Sequence, residues 1–462
     1  MEITLIGFVV IILSIYAFFK DEYYLLYLAV FFSTFTAASI LNIKSTVTGI
    51  TPFYFIASLW MIKVFIKYIK NRVEFKDIFY EIKNNKLIKA LLTFSLVILV
   101  GEILFAFKDG VSLIDLNSGK NVMLSFSSYN ITQTIYLLFM IVFTILVLLE
   151  VKEKKKIITV LKVFFISSIF AVVWGIIQFC LFYLNIEYPS NLFNNNIAYL
   201  QLYNQMIYGI KRVNSIALEP SMFALNIIVF IPFILVLWTS GKKIIKNKVY
   251  SNIILSVILV LSLMCSILTT STTAYVGVGL VIIFFTIYQF KFSEKDGEIY
   301  KNKIKMIFIY IIIIISLILV LILTLKVFGV AFQTIVDVFK DITINKKNLQ
   351  TGHERTNAIK MSLNILYSSP LFGVGWGTFR SLDLTSNLLA NTGILGLISY
   401  FYIIAVVIIR LFKNKAKDEI ISISMLLSIL ISSIALLISI PDLNYGYYWL
   451  MIGLGFNYCN VK

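Results

Sequence analysis

A chain of 462 residues that is 60% hydrophobic and only 14% charged, with a mean hydropathy of +0.93, is far from the half-apolar, quarter-charged make-up of soluble domains, which excludes a soluble enzyme. Its formal charge of +17 sits in short connectors between apolar runs, not on a stripe interleaved with stacking aromatics, which sets nucleic acid aside as a partner. The apolar runs are long and unbroken, so a membrane β-barrel built from short alternating segments is excluded as well, leaving an all-α polytopic membrane protein.

The first run, MEITLIGFVVIILSIYAFFK, lacks a basic start and a small-residue cleavage site and reads as a retained span over 3–19. The following runs predict spans over 23–41, 51–68, 88–106, 131–149, 157–184, 217–239, 250–269, 272–290, 304–328, 386–411 and 419–440, with a shorter last one over 447–459. About twelve or thirteen transmembrane helices are thus expected in a single polytopic domain over 1–462. The connectors 68–87, 150–156, 241–248, 291–305 and 410–417 are strongly basic, and alternate crossing puts all of them on one side, the cytoplasm, with the N-terminus outside and the C-terminus inside. Residues 107–130, the loop 185–216 and the large loop 329–385 then fall outside. Cys180, Cys265 and Cys459 lie in or beside apolar runs without paired spacing and read as small apolar residues.

Within the large loop, ERTNAIKMSLNIL places Ala358, Met361, Leu363 and Ile365 at spacings that fit a short amphipathic helix near the membrane surface. Pro370 ends it, and PLFGVGWG follows as a tight turn into the next span. No Gly-Lys-Ser/Thr follows the glycines, so they are read as shaping the backbone rather than cradling a nucleotide.

Arg355 and Arg380 flank this stretch, and Lys211 and Arg212 end the other external loop. Cations on the side disfavoured by the positive-inside rule either bind a phosphate or diphosphate of a lipid carrier, for which a guanidinium fork is suited, or contact lipid headgroups by snorkelling. Glu219, in RVNSIALEPSMFA, is either the structural partner of Arg212 or a base at the mouth of a span. His353 can take a proton near neutral pH or be an inert surface side chain. Glu102 and Lys326, at span ends, either line a cavity or reach the interface. No His/Asp/Glu/Cys pattern has metal-ligand spacing, and no cofactor is expected.

Four pieces recur in a recognisable order: RVNSIALEPSMFALNI at 212–227, LTTSTTAYVGVGL at 268–280, GHERTNAIKMSLNILYSSPLFGVGWGTF at 352–379 and LLANTGILGLISYF at 388–401. Together they resemble the O-antigen polymerase and ligase superfamily, whose members handle polyprenyl-diphosphate-linked sugars at the outer face of the bacterial cytoplasmic membrane. The resemblance implies that Arg212 and Arg355 stand where family arginines hold the diphosphate. Two departures stand out. Ser271-Thr272 replaces a frequent Ser-Arg, and Leu382-Asp383 stands where ligases carry His-Asn. The missing histidine argues against a ligase and moves the base role toward Glu219 and His353, while Glu-Pro-Ser at 219–221 is more similar to polymerases of capsule or exopolysaccharide.

The implied reaction is metal-independent, inverting glycosyl transfer from a polyprenyl diphosphate to a hydroxyl of a lipid-linked repeat unit. The implied partners are the polyprenyl-diphosphate-linked oligosaccharides, membrane lipids, a flippase and a chain-length regulator. A ligase would share the donor and differ in the acceptor. A flippase or other transporter would show internal repeats and midplane charge, neither of which is evident.

Overall fold

The computed structural model describes residues 1–70, 75–198, 202–207, 210–240, 247–292, 350–413 and 419–459, with single positions at 311, 314, 315, 318, 322 and 340. The expected span over 304–328, apart from those single positions, lies outside the described residues, as do Lys326 and all of 329–349 but position 340.

In chain order, β1 (Glu2–Ile3) leads into α1 (Leu5–Phe19), whose N-cap Thr4 accepts from the Gly7 amide, and α2 (Glu22–Phe32) is capped by Asp21. β2 (Leu41–Ile43) and β3 (Thr48–Ile50) complete a small antiparallel sheet of order β1-β2-β3. α3 (Pro52–Lys70), α4 (Phe75–Asn84) and α5 (Lys86–Ala106) follow, then the hairpin β4 (Val111–Ile114) and β5 (Asn121–Leu124). After α6 (Ser128–Glu150), α7 (Lys154–Tyr183) and the short α8 (Ser190–Phe193), the strands β6 (Met206–Ile207) and β7 (Ile210–Lys211) pair antiparallel. The remaining helices are α9 (Pro220–Ser240), α10 (Lys248–Leu268), α11 (Thr272–Phe292), α12 (Gln350–Ser368), α13 (Leu384–Lys413), α14 (Glu419–Ser439) and α15 (Gly446–Tyr458).

Among the described residues, nine helices are long and apolar enough to cross a membrane, namely α3, α5, α6, α7, α9, α10, α11, α13 and α14. The chain is an all-α polytopic membrane protein. The second predicted span, 23–41, differs from what is found: its helix ends at Phe32. The hydroxyl-rich residues that follow spend their hydrogen bonds elsewhere, which competes with helix continuation. Ser33 Oγ donates to Val30 O (2.7 Å), Thr34 and Ser167 share a hydroxyl contact (2.7 Å), and Thr36 Oγ1 accepts from the Leu218 amide (3.0 Å).

The chain divides into two compact units. The first comprises Met1–Ile66, Lys155–Ile342 and Lys415–Ser432. Its centre is α9, buried on nearly every face and packed by α10 and α11, as expected of a helix apolar all round. The second comprises Lys67–Lys154, Thr343–Asn414 and Ser433–Lys462. Here α13 packs against α5 and α12, and α15 against α6.

α12 covers the β4–β5 hairpin. Met361 and Ile365 join Phe105, Leu113, Val374, Phe379 and Ala390 in one apolar cluster, and Asn357 Nδ2 donates to Asn117 Oδ1 (2.9 Å) in the hairpin turn. Ala358, Met361 and Ile365 form the buried stripe, as their spacing predicts, whereas Leu363 is 42% exposed. The reason is angular: at 100° per residue Leu363 lies about 200° from Met361.

Candidate functional site

In the first unit the connector 212–219 is built on a buried glutamine. Gln178 Oε1 accepts from the amides of Asn214 (3.1 Å) and Ser215 (2.7 Å), and its Nε2 donates to Asn214 Oδ1 (2.9 Å). Ser215 adopts φ +54 there and donates its hydroxyl to Ala171 O (2.6 Å). Arg212, just before this clamp, has its amide bound to Gln205 O (3.0 Å).

The Arg212 side chain reaches the C-terminal end of α10. Nε donates to Thr269 O and to Thr270 Oγ1 (both 3.0 Å), Nη1 donates to Gln205 Oε1 (2.9 Å), and Nη2 makes a long contact with Thr270 O (3.5 Å). These carbonyls lie at the negative end of a helix dipole, a favourable seat for a cation. The guanidinium carries five N–H groups, so among the described residues one on each terminal nitrogen is left for another acceptor. Burial pushes Arg212 below its ordinary value, opposed by the nearby Glu219 carboxylate and Tyr275; a guanidinium stays charged at neutral pH regardless.

Glu219 is half-buried and immediately precedes α9, its carbonyl accepting from the Met222 and Phe223 amides (both 3.1 Å). Ser221 Oγ donates to Glu219 Oε2 (3.2 Å). The carboxylate attracts Arg212, yet among the described residues no contact ion pair joins the two. Lys211 places its ammonium 4.8 Å from the Phe182 ring centroid, a cation–π contact.

In the second unit Arg355 repeats the pattern. Its Nη1 donates to Ile438 O (2.7 Å), in the last turn of α14. Burial lowers its pKa, and the attraction of Asp383 opposes the shift. Asp383 is buried and caps α13, with Oδ1 accepting from the Ser386 amide (2.8 Å) and Oδ2 from its hydroxyl (2.9 Å). Arg380 is 57% exposed at its side chain and pairs with Asp442 (3.0 Å). His353 is exposed on the first turn of α12 and makes no hydrogen bond among the described residues.

Between Arg355 and α13 runs the glycine turn. Gly373, Gly375 and Gly377 take φ of +68, +83 and +91. Within α13, Gly393 takes φ +64 and ψ −165 and interrupts the helix. The break and the turn satisfy each other: Ile394 N donates to Pro370 O (2.9 Å), Leu395 N to Leu371 O (3.2 Å), and Val374 N to Ala390 O (3.0 Å). A Cβ on Gly373 would meet the Asn391 carbonyl carbon at 2.4 Å, and one on Gly393 would meet Leu371 O at 2.4 Å, so both positions exclude any side chain.

Residues 257–393 match the family model Wzy_C, described as O-antigen ligase. The chain carries a Wzy_C domain. No curated protein matches the chain.

The match is consistent with the O-antigen polymerase and ligase superfamily, whose members are membrane glycosyltransferase-like enzymes acting on lipid-linked oligosaccharides. The Wzy_C domain holds His353, Arg355, Arg380 and the Thr269–Thr270 end of α10, while Lys211, Arg212 and Glu219 precede it. Sequence reasoning passed over two of its residues. Asn391 accepts from Phe379 N (2.9 Å) and donates to Phe379 O (2.7 Å), and Asn387 Oδ1 accepts from Ser381 N (3.2 Å). Their signal was present: two asparagines four residues apart in an apolar span occupy one helix face, where burial obliges each to find partners. Among the described residues, no group of three His, Cys, Asp or Glu side chains is placed to hold a metal ion.

Proposed function

We propose that the protein is a polysaccharide polymerase that joins polyprenyl-diphosphate-linked repeat units at the outer face of the bacterial cytoplasmic membrane. Arg212 carries the reading. A half-buried guanidinium pinned by helix-end carbonyls, with an N–H on each terminal nitrogen left without an acceptor among the described residues, suits a diphosphate oxygen. Arg355 is assigned the same class of ligand in the second unit, and Arg380 and Lys211 supply further positive charge.

As the glycosidic bond breaks, negative charge grows on the departing diphosphate. Donors already fixed in place stabilise that charge more than the ground state, without reorganising. The acceptor hydroxyl loses its proton to a base, for which Glu219 is favoured over His353 because it lies beside Arg212 and is half-buried. The loops 185–216 and 329–385 are assigned to the outside within a single polytopic domain, and a flippase and a chain-length regulator are the proposed partners.

The family's description as O-antigen ligase favours a second reading, a ligase that passes finished polymer to another acceptor. Deletion of the gene separates them. A polymerase leaves single repeat units on the surface, a ligase leaves long polymer still attached to the lipid carrier, and a flippase leaves lipid-linked units inside. Single-repeat surface glycan is the expected outcome.

A further inference from the structure

Glu102 lies in α5, a charge in the middle of an apolar packing, and its residue is only 8% exposed. A carboxylate in such a place requires partners. Oε1 accepts from Thr134 Oγ1 of α6 (2.7 Å). Oε2 is buried and has no hydrogen-bond partner among the described residues. It faces the glycine turn: a Cβ on Gly375 would stand 3.0 Å from it, and the Trp376 backbone amide interacts with the carboxylate.

One turn earlier on α6, Asn130 Nδ2 donates to Trp376 O (3.2 Å) and to Thr378 Oγ1 (2.5 Å). Successive backbone amides around residues of positive φ form concavities that attract anions. Here the carboxylate already occupies the place beside Gly375 and Trp376 where a bound anion would sit. The stretch after it is held from the other side by Asn391 and Asn387, and it delivers Arg380 and Asp383, the residue that attracts Arg355.

We infer that Glu102 is a positioning residue: its carboxylate is the built-in anion of the glycine turn and sets the placement of the segment that carries Arg380 and Asp383. Glu102 does not touch substrate in this role. The functional half of the inference rests on reading the second unit as a lipid-diphosphate site; the structural half does not.

The test uses the full-length protein in its native membrane with Ser381→Cys, a buried position on that segment. Alkylation of this cysteine by a membrane-impermeant maleimide is followed by peptide-resolved mass spectrometry, and surface glycan length is read from the same cells. Glu102→Ala is expected to speed alkylation about tenfold, as loss of a buried carboxylate's attraction for the amides of the turn would shift an opening equilibrium. Polymer output should fall on the order of 100-fold at equal protein level, as for a misplacement of roughly 1 Å in a site. Glu102→Gln, of the same shape but without the charge, should speed alkylation in the same direction, by less than Glu102→Ala, which separates an anion from a side chain that only fills space. Thr134→Val, which removes only the donor to Oε1, serves if Glu102→Ala fails to insert, and should shift alkylation in the same direction. Unchanged alkylation in Glu102→Ala or Thr134→Val overturns the inference. If the turn opens while Glu102→Ala and Arg355→Ala both make full-length polymer, the diphosphate reading of the second unit fails and the anchoring of the turn stands. If the turn opens and only Arg355→Ala loses polymer, the functional half of the inference is overturned.

Discussion

Arg212 and Arg355 are seated alike, each giving N–H groups to main-chain carbonyls at the C-terminal end of a helix. Their presence was legible in the sequence, because cations outside the basic connectors call for a special role. Their seats were not, since Gln205, Thr270 and Ile438 are ordinary residues that only folding brings to them. Lysine at 212 would keep the charge and lose the planar fork. Arg212→Lys is therefore expected to lower polymer formation on the order of 100-fold, the usual effect of removing one pre-placed donor, and surface glycan profiles at matched protein abundance check it. For the base, Glu219→Gln should lower polymer formation by about 100-fold, whereas His353→Ala, which removes an exposed side chain that makes no hydrogen bond among the described residues, should leave chain length unchanged. The opposite ranking in the same gels would move the base role to His353.

At the level of elements, apolar run length recovered most helices and the periodicity of ERTNAIKMSLNIL recovered α12. What it could not convey is what the helix covers. The β4–β5 hairpin that receives Met361 and Ile365 is made of short strands in a segment with no helical period, so it leaves little trace in a hydropathy reading. The same packing separates two neighbouring leucine-sized residues. Ile365→Ala empties a fully buried position and should cost about 2–5 kcal/mol. Leu363→Ala, on the exposed face, should stay within about 0.5 kcal/mol. Thermal unfolding of the detergent-solubilised protein distinguishes them, and equal shifts would contradict the assigned face. α2 shows the converse limit: an apolar run of span length loses its helix where hydroxyl side chains find better partners.

For the molecule as a whole, composition settled the class, because 60% hydrophobic residues in long runs admit only a bundle of membrane helices. Charge in the connectors predicts an orientation that labelling can check. A cysteine at Ser118, in the exposed β4–β5 turn, should react with an impermeant maleimide in intact cells, while one at Glu153, between α6 and α7, should react only after the membrane is opened. Labelling of both in intact cells would reject the orientation. The interlock of the glycine turn with the break at Gly393 bears on how such proteins can be recombined. Since Pro370 and Leu371 supply the acceptors that the interrupted helix α13 needs at Ile394 and Leu395, neither piece folds correctly beside a foreign counterpart of different length. A chimera between relatives should keep its function when the block 370–395 is exchanged whole, and lose it when the crossover falls inside.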